Sequence, residues 1–130
     1  MTQETVKVLI ADDDSDFREL LRRHLTSAGL QVVQAADGES AVSSFEDDDE
    51  IALAILDIRM PGMGGLRALA EIRAKRGAGV GLVVLSGSDD RQDVMRAAKA
   101  GADDYLRKPV NAPVLLASVR SQLERLGLAA

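Results

Sequence analysis

The sequence has no cysteine, no tryptophan, one tyrosine, two phenylalanines and one histidine in 130 residues. Without cysteine there is no disulfide framework, no thiolate metal site and no cysteine nucleophile, a usage that fits the cytosol. Aromatic residues at 2% leave no stacking surface for nucleobases. The 46% hydrophobic content must therefore be built from Ala, Val, Leu and Ile. Basic residues are outnumbered, 16 against 21, for a formal net charge of −5, which argues against non-specific binding to nucleic acid. No apolar run is long enough for a signal peptide or a bilayer span, and residues 2–5 are polar. The expectation is one soluble, cytoplasmic domain over residues 1–130, large enough to bury a layered core and with no affinity for membrane.

What is present is an alternation. Val6–Ala11 reads as a buried strand ending in Asp12-Asp13-Asp14. A helix follows, capped by Ser15 or Asp16, with Phe17, Leu20, Leu21 and Leu25 on one face and Gly29 to stop it. Leu30–Ala35 is a second strand, and Asp37-Gly38 opens a helix that buries Ala41, Val42 and Phe45. Asp47–Glu50 reads as a solvated loop. Ile51–Asp57 is a continuous apolar strand that delivers one aspartate to its end before Pro61-Gly62 turns the chain. Leu66–Arg76 is a helix burying Leu66, Leu69 and Ile72; Val80–Ser86 is a strand; Asp89–Ala100 is a helix before Gly101. Asp104–Leu106 is a short strand, and Asn111 caps a last helix with Pro113 in its first turn. Strands without polar alternation, separated by helices, predict an α/β fold: a parallel sheet covered on both faces.

Asp12 and Asp13, Asp57, Ser86 and Lys108 stand where strands one, three, four and five end. In a parallel sheet those ends share one edge, the edge at which open α/β sheets bind ligands. A carboxylate is not tolerated within a strand buried on both faces, but it emerges at such an end. Three carboxylates in one crevice repel each other, and a divalent cation removes the conflict. An all-oxygen donor set suits Mg²⁺, with Mn²⁺ as the alternative ion. An aspartate beside that cation is a nucleophile toward phosphorus, and the Lys108 ammonium and Ser86 hydroxyl are suited to stabilise the charge that develops. Taken singly, each mark has a plainer reading. Asp12–Asp14 serve equally as helix-capping acids, and Asp57 as a turn residue. His24, beside Arg22 and Arg23, reads as an exposed helix residue, and Met60 and Met63 as packing.

From Val6 to Leu126 the chain resembles a response-regulator receiver domain. The resemblance rests on Asp12-Asp13, on Asp57 before Met60-Pro61-Gly62-Met63, on Ser86-Gly87, on Gly101-Ala-Asp-Asp-Tyr105 and on Lys108-Pro109. It implies a doubly wound, flavodoxin-like (βα)5 three-layer sandwich with strand order 2-1-3-4-5, the order of chemotaxis receivers. It implies that Asp57 accepts a phosphoryl group, that Asp13 binds Mg²⁺ directly and Asp12 through water, and that the backbone carbonyl of Arg59 is a further ligand beside Asp57. Ser86 and Lys108 would each hold a phosphoryl oxygen, and Gly87 would leave room for the donor. Tyr105 would turn inward when Ser86 is drawn toward the phosphoryl, and the Lys108–Pro109 peptide would be cis. Arg59 and Ser88 would flank the path of the hydrolytic water, with Arg59 slowing its approach. Gly64 departs from the family's usual Asp or Asn. Val94, Val114 and Ser118 stand where members that dimerise through ion pairs carry charges, although Asp103, Asp104 and Arg120 remain.

The expected function is that of a phospho-accepting receiver of a two-component system, a switch that catalyses only its own phosphorylation and dephosphorylation. Its donor would be a histidine kinase or a histidine phosphotransfer protein. Its signal would be read by a downstream protein on the surface of helix 4, strand 5 and helix 5, with the domain monomeric or dimerising on activation. The expectation includes a single receiver domain, with its core at about 6–126 and no output domain in these 130 residues. Two rivals are an aspartate-nucleophile, Mg²⁺-dependent phosphohydrolase of the haloacid-dehalogenase kind and a receiver-fold scaffold that is never phosphorylated. The first typically needs Asp-x-Asp, which Asp57-Ile-Arg59 does not offer.

Overall fold

Strands and helices alternate through the computed structural model, which describes residues 6–87 and 91–128. The elements are β1 (Lys7–Ala11), α1 (Ser15–Ser27), β2 (Gln31–Ala35), α2 (Gly38–Asp47), β3 (Ile51–Asp57), α3 (Gly65–Arg76), β4 (Gly81–Ser86), α4 (Arg91–Ala100), β5 (Asp104–Arg107) and α5 (Ala112–Arg125). The sheet has strand order β2-β1-β3-β4-β5, with every neighbouring pair parallel. This is the doubly wound, three-layer α/β fold, with its switch point between β1 and β3. Ser88 and Asp89, the latter read from the sequence as the start of the fourth helix, lie outside the described residues.

Two-residue alternation sorts the strand side chains into two cores. Leu9, Ala11, Ala54, Leu56, Leu82 and Val84 face α2, α3 and α4, where they meet Phe45, Leu69, Ile72 and Ala97. Val8, Ile10, Leu53, Ile55, Val83 and Leu85 face α1 and α5, against Leu21, Leu25, Leu115 and Val119. β3 and β4 are buried at every position, which accounts for their unbroken apolar sequence, whereas β2 and β5 are half-covered edge strands. Each fully buried Leu or Ile contributes about 1.5–3 kcal/mol.

The starts of α1, α2 and α5 follow side-chain capping, with one correction. Asp14, not Ser15 or Asp16, caps α1: its carboxylate accepts from the backbone N–H groups of Asp16 (3.0 Å) and Phe17 (3.2 Å). Only the residue just before the first turn can reach both those amides. Asp37 and Asn111 cap α2 and α5 as their sequence positions imply. α3 starts after Gly64 without a side-chain cap. Leu20, assigned from periodicity to the buried face of α1, is 46% exposed, because only Leu21 and Leu25 are buried on that helix. Leu66 is half-buried, and Ala68 fills the core position beside Leu69 and Ile72. His24 is half-buried rather than exposed. Within the acidic Asp47–Glu50 loop, Asp48 accepts an ion pair from Lys7 at 2.9 Å.

Candidate functional site

The site lies at the C-terminal edge of β1, β3 and β4 and just past β5. Carrying the two-residue alternation past the strand ends places Asp12, Asp57 and Lys108 in rows that face α1 and α5. Ser86 and Tyr105 fall in the rows that face α3 and α4. The backbone ties these ends together. Asp12 N–H donates to Ala35 O (3.2 Å), Ile58 N–H to Leu85 O (3.2 Å) and Lys108 N–H to Ser86 O (2.7 Å). The Lys108–Pro109 peptide is cis. Gly65 makes the approach of α3 possible, since a Cβ there would stand 1.9 Å from the Asp57 carbonyl oxygen.

Asp12 is 2% exposed, Asp57 7% and Ser86 1%, whereas Asp13 is open to solvent. Carboxylate oxygens of Asp12, Asp13 and Asp57 lie within 4.8 Å of one another. The Lys108 ammonium donates to Asp12 Oδ2 at 2.7 Å and to Asp57 Oδ2 at 3.3 Å. Asp12 Oδ1 accepts from Asp14 N–H (2.9 Å), and Asp57 Oδ1 from Arg59 N–H (3.2 Å). Burial raises the Asp57 pKa above the usual carboxylate value; the Asp12 charge adds to this, against the Arg59 N–H and the Lys108 ammonium. Burial lowers the Lys108 pKa, but the hydrogen bond to Asp12 and the charges of Asp57 and Asp12 outweigh it, for a net rise. Three carboxylates against one ammonium leave a surplus of negative charge, and the donors are all hard oxygens. That set fits a small divalent cation of the Mg²⁺ kind.

The sequence-derived residues are thus largely brought together. Asp12, Asp13, Asp57 and Lys108 share one cluster. Ser86 is next to it on the adjoining strand, with its register partner Arg107 leading into Lys108. Tyr105 stands apart, half-buried against the α3–α4 core. The Arg59 guanidinium is largely exposed and lies 3.9 Å from Asp93 on α4. Three further residues make contacts that were not apparent from the sequence. Arg18 donates to the Asp12 carbonyl at 2.6 Å and to Gln34 Oε1 at 3.1 Å. Glu39, in the first turn of α2, accepts from Met63 N–H at 2.7 Å and thereby ties down the loop after β3. The Phe17 ring lies 4.4 Å from the Lys108 ammonium. An aromatic residue in the first turn of the helix after the acidic pair was the available signal for Phe17, but its helical spacing made it read as core alone.

A family model described as the response regulator receiver domain matches residues 8–120. Among curated proteins, a cyclic di-GMP phosphodiesterase of Thermotoga maritima is 38% identical over 108 residues, covering 83% of this chain and 28% of that protein. The chain spans about half or less of the length of the first curated relatives it matches. A CheY-like receiver domain protein of Methanospirillum hungatei superposes with a TM-score of 0.90 at 27% identity, covering 95% of this chain and 98% of that one. CheY in a CheX–CheY–BeF3–Mg²⁺ complex of Borrelia burgdorferi gives a TM-score of 0.82 at 31% identity, covering 88% and 87%.

Proposed function

Because the chain belongs to the response-regulator receiver family, we propose that Asp57 is its phosphoacceptor and that the domain is a phosphorylation-controlled switch in a two-component pathway. The observation that carries this reading is the Asp57 carboxylate itself. It is buried at the end of β3, within 4.8 Å of two further carboxylates, with a lysine on its Oδ2. Asp12, Asp13, Asp57 and the Arg59 carbonyl are the proposed holders of Mg²⁺. When bound, the ion supplies positive charge beside the phosphoryl oxygens and removes the repulsion among the acids. The Mg²⁺ and BeF3 of the Borrelia CheX–CheY complex favour the same assignment here.

Asp57 attacks the phosphorus of a phosphohistidine or a small acyl phosphate through one carboxylate oxygen. The P–O bond to Asp57 forms as the donor's P–N or P–O bond breaks, and the electron pair leaves with the donor. Lys108 pairs with one phosphoryl oxygen and Ser86 donates to another. The movement of Ser86 carries the change to Tyr105, two strand positions from it in the β4–β5 register. The donor is a histidine kinase or a histidine phosphotransfer protein in the cytoplasm. Among the described residues no helix is long and apolar enough to cross a membrane.

The signalling surface is that of α4, β5 and α5, where Val94, Met95 and Val114 are exposed. The nearby acids are engaged internally. Asp103 pairs with Arg73 (2.6 Å) and Arg125 (3.4 Å), and Asp104 accepts from Ser118 Oγ (2.6 Å). An apolar contact with a protein partner fits this surface better than an ion-paired homodimer. The phosphohydrolase reading lacks a second carboxylate two residues after Asp57, where the exposed Arg59 stands.

The test is labelling. With Mg²⁺ and acetyl phosphate the intact protein should gain one acid-stable, base-labile phosphoryl group, and Asp57→Asn should gain none. Undiminished labelling of Asp57→Asn rejects the acceptor, and an unlabelled wild type favours the scaffold.

A further inference from the structure

We propose that Phe17 is a positioning residue for Lys108, its ring face keeping the ammonium in the site while the carboxylate partners change. The proposal rests on the reading that Lys108 serves the chemistry at Asp57. Among the described residues the Lys108 ammonium has contacts with Asp12 Oδ2 at 2.7 Å, Asp57 Oδ2 at 3.3 Å and the Phe17 ring, its centroid at 4.4 Å. Both carboxylates must alter their engagement in the proposed cycle, Asp12 toward the cation and Asp57 toward phosphorus. Of these three contacts, the one with the ring is untouched by either event. At 4.4 Å it lies inside the roughly 6 Å range over which the negative face of an aromatic ring attracts a cation.

The ring is itself well placed to hold a position. Phe17 is in the first turn of α1, its N–H bound by the Asp14 cap at 3.2 Å, and its side chain packs against the core under α1 and α5. Lys108 retains 24% side-chain exposure, so an ammonium released by both acids has solvent to escape into. A leucine at position 17 would supply comparable packing without an attractive face. Phe45, the other phenylalanine, meets Arg76 at 5.3 Å in the α2–α3 layer, away from the acidic cluster.

The experiment uses two forms of the chain, Phe17→Leu and one with 3,4,5-trifluorophenylalanine at position 17, which keeps the ring's outline while weakening its negative face. NMR of the wild type should show the Lys108 ε-methylene protons shifted upfield by the ring, without Mg²⁺ and at saturating Mg²⁺ alike. The second-order rate constant for phosphorylation by acetyl phosphate should fall about 3- to 10-fold in both altered forms. The fluorinated form should unfold in urea at the wild-type midpoint. An upfield shift that vanishes on adding Mg²⁺ overturns the proposal. So does a fluorinated form that reacts at the wild-type rate, which would leave Phe17 a packing residue. Failure of the wild type to be labelled at all rejects the proposed function instead, while the NMR measurement still decides whether the ring holds the lysine.

Discussion

Replacing Lys108 by methionine keeps the apolar stem of the side chain and removes the charge that holds Asp12 and Asp57 together. Asp12 is 2% exposed and Asp57 7%, so neither gains full hydration when the ammonium at 2.7 and 3.3 Å is lost. Removing one partner of a buried pair costs about 3–5 kcal/mol. An independent ceiling comes from proton uptake. At pH 7 a carboxyl of ordinary pKa 3.8 is protonated at a cost of about 4.4 kcal/mol, from about 3.2 units at 1.36 kcal/mol each. Burial already raises the Asp57 pKa, and losing Lys108 removes a group that opposes the rise, so the escape is cheaper than that ceiling. The expected loss is about 2–4 kcal/mol at pH 7, falling to about 1 kcal/mol at pH 5, where the same protonation costs at most about 1.6 kcal/mol. The sign follows from linkage. A carboxyl whose folded pKa lies above its unfolded one loses stability as pH rises from the unfolded value through the folded one, so the deficit grows over that window. Urea unfolding of wild type and variant at the two pH values measures it. Mg²⁺ should stabilise the variant more than the wild type, since no ammonium competes for the acids. A deficit independent of pH, or no deficit at pH 7, would refute the reasoning.

Two further substitutions probe the frame and the exit from the phosphorylated state. Gly65→Ala sets a Cβ 1.9 Å from Asp57 O and 2.9 Å from Ile58 Cα, backbone atoms that cannot rotate away. It should cost about 3 kcal/mol or more in urea unfolding and also weaken Mg²⁺ binding through displacement of Asp57. Gly79→Ala, with open space around its Cβ and no positive φ, is the control and should stay within about 1 kcal/mol of wild type. Arg59→Ala should shorten the phosphoryl lifetime by roughly 2- to 5-fold, because an exposed cation held only loosely by Asp93 at 3.9 Å is available to cover the water's path. Decay of labelled protein measures this, and a longer lifetime in the variant reverses the role of Arg59.

Much of this protein is decided by local pattern. The unbroken apolar run Ile51–Leu56, of strand length and followed by Pro61-Gly62, reads as a strand buried on both faces, and a carboxylate following it belongs at the strand's end. The same logic places Asp12, Ser86 and Lys108 at one edge, and side-chain capping by Asp37 and Asn111 is legible because it is settled within four residues. Periodicity was less reliable on α1 and α3. Leu20 and Leu66 lie at the margins of their apolar stripes, and which marginal residue is covered depends on where the neighbouring helix sits.

Tertiary structure alone decided which charges meet. Lys108 and Asp12 are 96 residues apart, and nothing in either stretch states that the ammonium bridges Asp12 and Asp57 or that Phe17 lies against it. Asp103 is among the charges the sequence leaves for a partner chain, yet two arginines from α3 and α5 close on it. The physical reason is range. Hydrophobic burial and backbone geometry act through periods of two and 3.6 residues, so the chain order records them. An ion pair is selected by a few ångströms of through-space distance, and the packed layers fix that distance only once the sheet has formed.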